Sequence, residues 1–259
     1  ITKRTKAIIV MDYAAKLANH KVIKEIGEKH NIPIIHDAAH SFGSKYENYF
    51  IGHQHNFTMM SFDPIKNITC IDGGALIFND ISLLEMFKEM RMIGMNQNIK
   101  ESYNDKRDWS YDVFRLGFRY HMPNLHAAIG LSQLRKFKEI KNIRSKLYTT
   151  YYQRLEGIEG IKMQGKLDKD VIPFILCLRV KNNLREPLRK YLKQHNIETG
   201  IHWTPGHRFN FYSNCKRGDL KVTETYEKEI VSLPFFPSLK EEEVIYISNK
   251  IEEFMKLNI

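Results

Sequence analysis

At 259 residues, with 42% hydrophobic and 27% charged content, the chain is long enough to bury a sizeable core and is neither a disordered tail nor a fibre. No apolar run is long enough to cross a bilayer, which excludes a membrane-spanning helix. The net charge of +10 is spread along amphipathic segments with no basic block or recognition helix, so it marks a solvated surface and no nucleic-acid partner.

The chain opens on Ile1, and Lys3, Arg4 and Lys6 run straight into the apolar stretch Ala7 to Asp12, AIIVMD, which reads as a buried parallel strand. Such a start resembles the middle of a fold, and the expectation is a fragment or a truncated product. Val22, Ile23 and Ile26 recur at helical spacing up to His30-Asn31. A second buried strand follows at Ile32 to Ile35, with Asp37 at its carboxyl end, where ligands bind in open α/β sheets. Tyr46 to Gly52 predicts a hairpin, Phe57 to Phe62 and Ala75 to Phe78 two more strands, and Asn79-Asp80 caps a helix through Leu83, Leu84, Phe87 and Met90. Gly94 to Trp109 is polar and aperiodic and reads as a loop.

Pro123 suits the first turn of a helix, and the apolar positions from Leu125 to Leu155 keep helical spacing until Gly157 and Gly160. The spacing predicts a first, larger domain over 1–122, one long connecting helix over 123–157 and a smaller α+β domain over 158–259. In that last part Ile172 to Val180 and Ile201 to Trp203 read as strands, and Leu184 to His195 and Glu241 to Met255 as helices. Cys70, Cys177 and Cys215 are odd in number and lack metal-ligand spacing, as suits a reducing cytoplasm.

Two segments carry chemistry. His36 to Gly43, HDAAHSFG, places an acid directly after a strand, and Ser61 to Gly74, SFDPIKNITCIDGG, places one lysine between a strand and a Gly-Gly turn. A lysine that condenses with an aldehyde and an acid that keeps a pyridine nitrogen protonated are what pyridoxal 5′-phosphate requires of a protein. Taken singly, Lys66 reads as a surface lysine and Asp37 as a strand-end cap. Their joint order, acid after one strand, Ser61 ending the next, Lys66, then Gly73-Gly74, is what points to a cofactor site.

From Ile1 to the C-terminus, the order and spacing of these segments resemble the DegT/DnrJ/EryC1/StrS sugar aminotransferases. The resemblance implies fold type I of the pyridoxal phosphate enzymes, an α/β fold with a mostly parallel central sheet flanked by helices, N-terminally incomplete here. It also implies transfer of an amino group, from glutamate, to a nucleotide-linked keto sugar in a cytoplasmic homodimer with shared active sites. By the same resemblance Lys66 holds the cofactor, Asp37 its ring nitrogen and Ser61 its phosphate, while His40 borders the ring; a packed core histidine is the other reading of His40. Asp72-Gly73-Gly74 stands where the family has Glu-Gly-Gly. Arg119 stands where the family has Asn contacting the phosphate of the neighbouring subunit's cofactor, and His121 where it commonly has Arg. His202, Trp203 and His207 are similar to the segment that lines the substrate cleft, and fit equally a core between domains. Lys66 argues against the related dehydratases, in which histidine replaces the lysine. The alternative to an enzyme is an inactive remnant that keeps the fold and makes no product.

Overall fold

Short apolar runs build the first sheet: β1 (Ile8–Met11), β2 (Ile34–Asp37), β5 (Phe57–Ser61) and β6 (Gly74–Phe78), in the order β1-β2-β5-β6. The structure, a computed structural model, describes residues 1–95 and 112–259. The expected loop at Gly94 to Trp109 therefore lies, from 96 onward, outside the described residues. Helix α1 (His20–His30) links β1 to β2, and β2 pairs parallel with β5 in the register Ile35 to Phe57 and Asp37 to Met59. Strand β6 then turns back antiparallel, from Phe57 opposite Phe78 to Ser61 opposite Gly74. Because β2 and β5 run the same way, Asp37 and Ser61 finish at the same end of this sheet.

Asp80 accepts a hydrogen bond from the Ser82 N–H at 2.9 Å and opens a 3-10 turn that leads into α2 (Leu84–Met90). The span expected as one long helix is two, α3 (Asn124–Arg135) and α4 (Phe137–Leu155), which part at Lys136 with φ −91° and ψ 0°.

The chain divides into two units. The first holds Ile1–Val10, His20–Asp37 and Gly52–Arg135; the second holds Met11–Asn19, Ala38–Ile51 and Lys136–Ile259. In the second unit, β3 (Lys45–Tyr46) and β4 (Tyr49–Phe50) form the expected hairpin. A three-stranded antiparallel sheet, β7 (Ile161–Met163), β8 (Leu176–Val180) and β9 (Ile230–Leu233), carries α5 (Arg185–Gln194), α6 (Lys221–Glu229) and α7 (Glu241–Asn258). Its core joins Tyr151 and Leu155 of α4, Leu176 and Leu178 of β8, Leu188 and Leu192 of α5 and Ile251 of α7, all buried. Arg144 is buried beside this core, donating to the Phe174 carbonyl at 3.1 Å and lying over the Phe235 ring; burial lowers its pKa to about 10.

Ile201 to Trp203 is not a strand. Only Gly200 bridges to Ser232, and the chain then meets Pro205, which has no N–H to extend a ladder, before two 3-10 turns. Among the described residues no helix is long and apolar enough to cross a membrane.

Candidate active site

Lys66 lies in the loop that joins the antiparallel strands β5 and β6. The Phe62 N–H donates to the Gly73 carbonyl at 2.8 Å, and the Cys70 N–H donates back to the Phe62 carbonyl at 2.9 Å, so the loop is pinned at its base. Asp63 organises the tip: its carboxylate accepts from the Ile65 N–H at 3.1 Å, and its carbonyl accepts from the Lys66 N–H at 3.1 Å. Thr69 donates its hydroxyl to the Phe62 carbonyl and accepts from the Ile71 N–H at 2.8 Å. At the far end, a Cβ on Gly74 would sit 2.7 Å from the Met60 carbonyl oxygen, so only glycine closes this hairpin.

The Lys66 amine is half-buried, and burial lowers its pKa below the ordinary lysine value; Asp63 and Asp37 are near enough to oppose that shift. Ser61, the last residue of β5, accepts from the Asp63 N–H at 3.4 Å. Asp37, Ser61 and Lys66 thus lie at the carboxyl ends of β2 and β5 in the first unit, as carboxylate, hydroxyl and amine.

Arg119 and His121 lie in the same unit, on the segment after residue 111, whose Met122 reaches Gly73: a Cβ on Gly73 would sit 2.7 Å from the Met122 Cε. Arg119 is exposed and bridges through its backbone to Met92, while Arg115 Nε donates to Glu89 at 2.6 Å. His126 of α3 meets the Asp72 carbonyl at 3.1 Å, tying that helix to the Lys66 loop.

In the second unit, His40 is buried. Its Nδ1 accepts from the Ala14 N–H at 3.2 Å, which fixes the neutral ring with its proton on Nε2. The ring stacks on Trp203 at 5.4 Å between centroids and packs on Phe174 at 4.5 Å. Asp12, also buried, holds the flanking turns by accepting from the Ser41 hydroxyl at 2.8 Å and the Ala18 N–H at 2.9 Å. His202 Nδ1 lies 2.8 Å from the Ser232 hydroxyl, burial lowers its pKa, and its carbonyl accepts from the Tyr13 hydroxyl. A cavity of about 340 Å³ is found in the first unit, and in this one a cavity of about 310 Å³ is lined by Tyr13, His202, Trp203, Val222, Tyr226 and Ile230. His207 lies 3.4 Å from the Glu224 carboxylate. Tyr13 and Phe174 were not singled out by the sequence; a tyrosine directly after the strand-ending Asp12 was the only signal available.

The family model for the DegT/DnrJ/EryC1/StrS aminotransferases matches residues 1–252. The uncharacterised protein MJ1066 of Methanocaldococcus jannaschii is 32% identical over 268 residues, covering 100% of this chain and 69% of that protein. Among solved structures, the chain is similar to PseC of Helicobacter pylori, an aminotransferase involved in pseudoaminic acid biosynthesis, with a TM-score of 0.90 and 24% identity over 99% of this chain and 68% of that one. It is also similar to a DegT DnrJ EryC1 StrS aminotransferase of Brucella abortus, with a TM-score of 0.83 and 26% identity over 96% of this chain and 64% of that one. These likenesses bear out the expected α/β fold of the pyridoxal phosphate transferases. The chain belongs to the DegT/DnrJ/EryC1/StrS aminotransferase family, whose cofactor is pyridoxal 5′-phosphate.

Proposed function

We propose that this chain transfers an amino group from an amino acid, glutamate, to a keto sugar carried on a nucleotide. The observation that carries the reading is Lys66: a half-buried amine with a lowered pKa, within electrostatic reach of Asp37. The residues at this end of the sheet fit the cofactor. An amine suits its aldehyde and a carboxylate its ring nitrogen. The Ser61 hydroxyl suits its phosphate, and Gly74 lets the backbone pass within 2.7 Å of where a side chain would stand.

When bound, pyridoxal phosphate supplies an electron-withdrawing ring that stabilises negative charge at the carbon losing its proton. Asp37 would hold the ring nitrogen, which a carboxylate does by charge and hydrogen bond together. Lys66 would hold the aldehyde end of the cofactor and would serve as the amine that takes a proton from the donor's α-carbon and returns one to the sugar. Burial favours its neutral form, the form a base needs. The Ser61 hydroxyl would bind the phosphate.

Within the same proposal, residues 1–122 form the cofactor domain, 123–157 the connection and 158–259 the smaller domain. The chain pairs as a cytoplasmic homodimer in which Arg119 and His121 serve the second copy's site. That pairing is supported by exposed apolar side chains along one stretch, among them Phe114, Leu116, Phe118, Tyr120 and Leu125. For the second unit we assign the cavity beside Tyr13, His202 and Trp203 to the sugar nucleotide, with His207 near its rim. His40, packed on Trp203, supports that wall.

The test is the visible absorbance of the purified chain with pyridoxal phosphate, then with excess glutamate, beside Lys66→Ala. We expect a band that depends on Lys66 and is bleached by glutamate, and loss of turnover in the variant with its circular dichroism unchanged. Transamination retained by Lys66→Ala would overturn the mechanism; a band absent from the native chain would turn the reading to the inactive remnant.

A further inference from the structure

His20, His36 and His55 come from three places in the first unit: the first residue of α1, the middle of β2 and the turn before β5. All three are buried, and their rings pack at centroid distances of 4.4 Å (His20 to His36), 5.0 Å (His20 to His55) and 5.5 Å (His36 to His55). His20 Nδ1 lies 2.8 Å from His55 Nε2, and one ring nitrogen from each residue lies within 4.8 Å of the other two. Alternation along β2 sends His36 to the face opposite Asp37, so the trio is separate from the Lys66 site. The transamination reading uses none of these residues.

We propose that this trio is a binding site for a divalent transition-metal ion of the zinc class, held by three imidazoles with a fourth position for water. Tetrahedral zinc with nitrogen ligands at about 2.0–2.1 Å sets those nitrogens about 3.4 Å apart. The spacings here, from 2.8 Å to no more than 4.8 Å, bracket that value, so small side-chain rotations bring the three onto one ion. An all-imidazole set selects zinc, cobalt, nickel or copper over magnesium and calcium, which take oxygen ligands. An imidazole binds metal through a ring nitrogen that carries no proton, and each of the three rings offers one such nitrogen to the shared centre. His55 also lines the 340 Å³ cavity, together with Glu28, His53, Gln54 and Asn56, a polar route by which an ion reaches the trio. An ion there would tie α1 to β2 and β5, the strands that end in Asp37 and Ser61. The competing state is a hydrogen-bonded trio of neutral histidines that binds nothing.

The experiment uses the purified full chain, treated with chelator and dialysed, and titrated with zinc chloride by calorimetry and with cobalt chloride by visible absorption. We expect one equivalent of zinc, intense bands of four-coordinate cobalt, and at least about 100-fold weaker zinc binding in each of His20→Asn, His36→Gln and His55→Gln. X-ray absorption of the zinc-loaded native chain should show three imidazole ligands, and this reading holds whether or not the variants fold. Binding at less than one equivalent, fewer than three imidazoles, or native affinity in a folded His55→Gln would overturn the proposal. None of these readouts passes through Lys66 or its cofactor, so this test and that of the transferase activity fail independently.

Discussion

Packing of the loop between β5 and β6 half-buries the Lys66 amine and lowers its pKa. The order of carboxylate, hydroxyl and amine along the sequence carries the residue's chemistry but not this shift, which comes from the packing. That shift has a consequence for stability. The unfolded chain holds the Lys66 proton up to the ordinary lysine value of about 10.4, whereas the folded chain gives it up at lower pH. Between those two values the unfolded state binds more protons, so this residue makes stability rise with pH and stops contributing above the unfolded value. Urea midpoints measured from neutral to alkaline pH should therefore climb less steeply in Lys66→Met than in the native chain. A slope that does not change would show the amine to be as solvated as in the unfolded chain. His40 was open to two readings in the sequence, and only the Ala14 N–H and the Trp203 ring show how tightly it is packed.

At the scale of elements, the strands of the first sheet were legible from apolar runs, and α1, α5 and α7 from their periodicity. The break at Lys136 was not, because one non-helical residue barely disturbs apolar spacing that continues on both sides. Strands β7 and β9 are three and four residues long, too short for an alternating pattern to stand out. Within the first unit, α3 meets the Lys66 loop where a Cβ on Gly130 would sit 2.4 Å from the buried Cys70 Sγ. Gly130→Ala gains up to about 1 kcal/mol of helix propensity, but overpacking of this kind costs about 1–3 kcal/mol. The expected result is net destabilisation, measured by urea unfolding, with much of the loss recovered in Gly130→Ala combined with Cys70→Ala. Additivity of the two substitutions would mean that helix and loop do not press on each other there.

For the molecule as a whole, the division into units was the least legible property. Met11–Asn19 and Ala38–Ile51 cluster with the C-terminal unit although they lie among residues of the first, an assignment made by contacts distant in sequence. The proposed pairing belongs to this scale as well. Sedimentation should give twice the 30.6 kDa chain mass, falling to a single chain in Leu116→Asp combined with Leu125→Asp; a native chain that sediments alone at micromolar concentration would remove the support for shared sites. The hairpin that carries Lys66 also bears on the order of assembly. Strands β5 and β6 and the loop between them are held by contacts close in sequence, whereas Asp37 reaches them through the parallel pairing of β2 with β5, across the β3-β4 excursion. Shorter loops close at lower entropic cost and sooner. The local contacts around the lysine are thus expected to close first in folding, with the carboxylate brought to them afterwards by the longer-range pairing of β2 with β5.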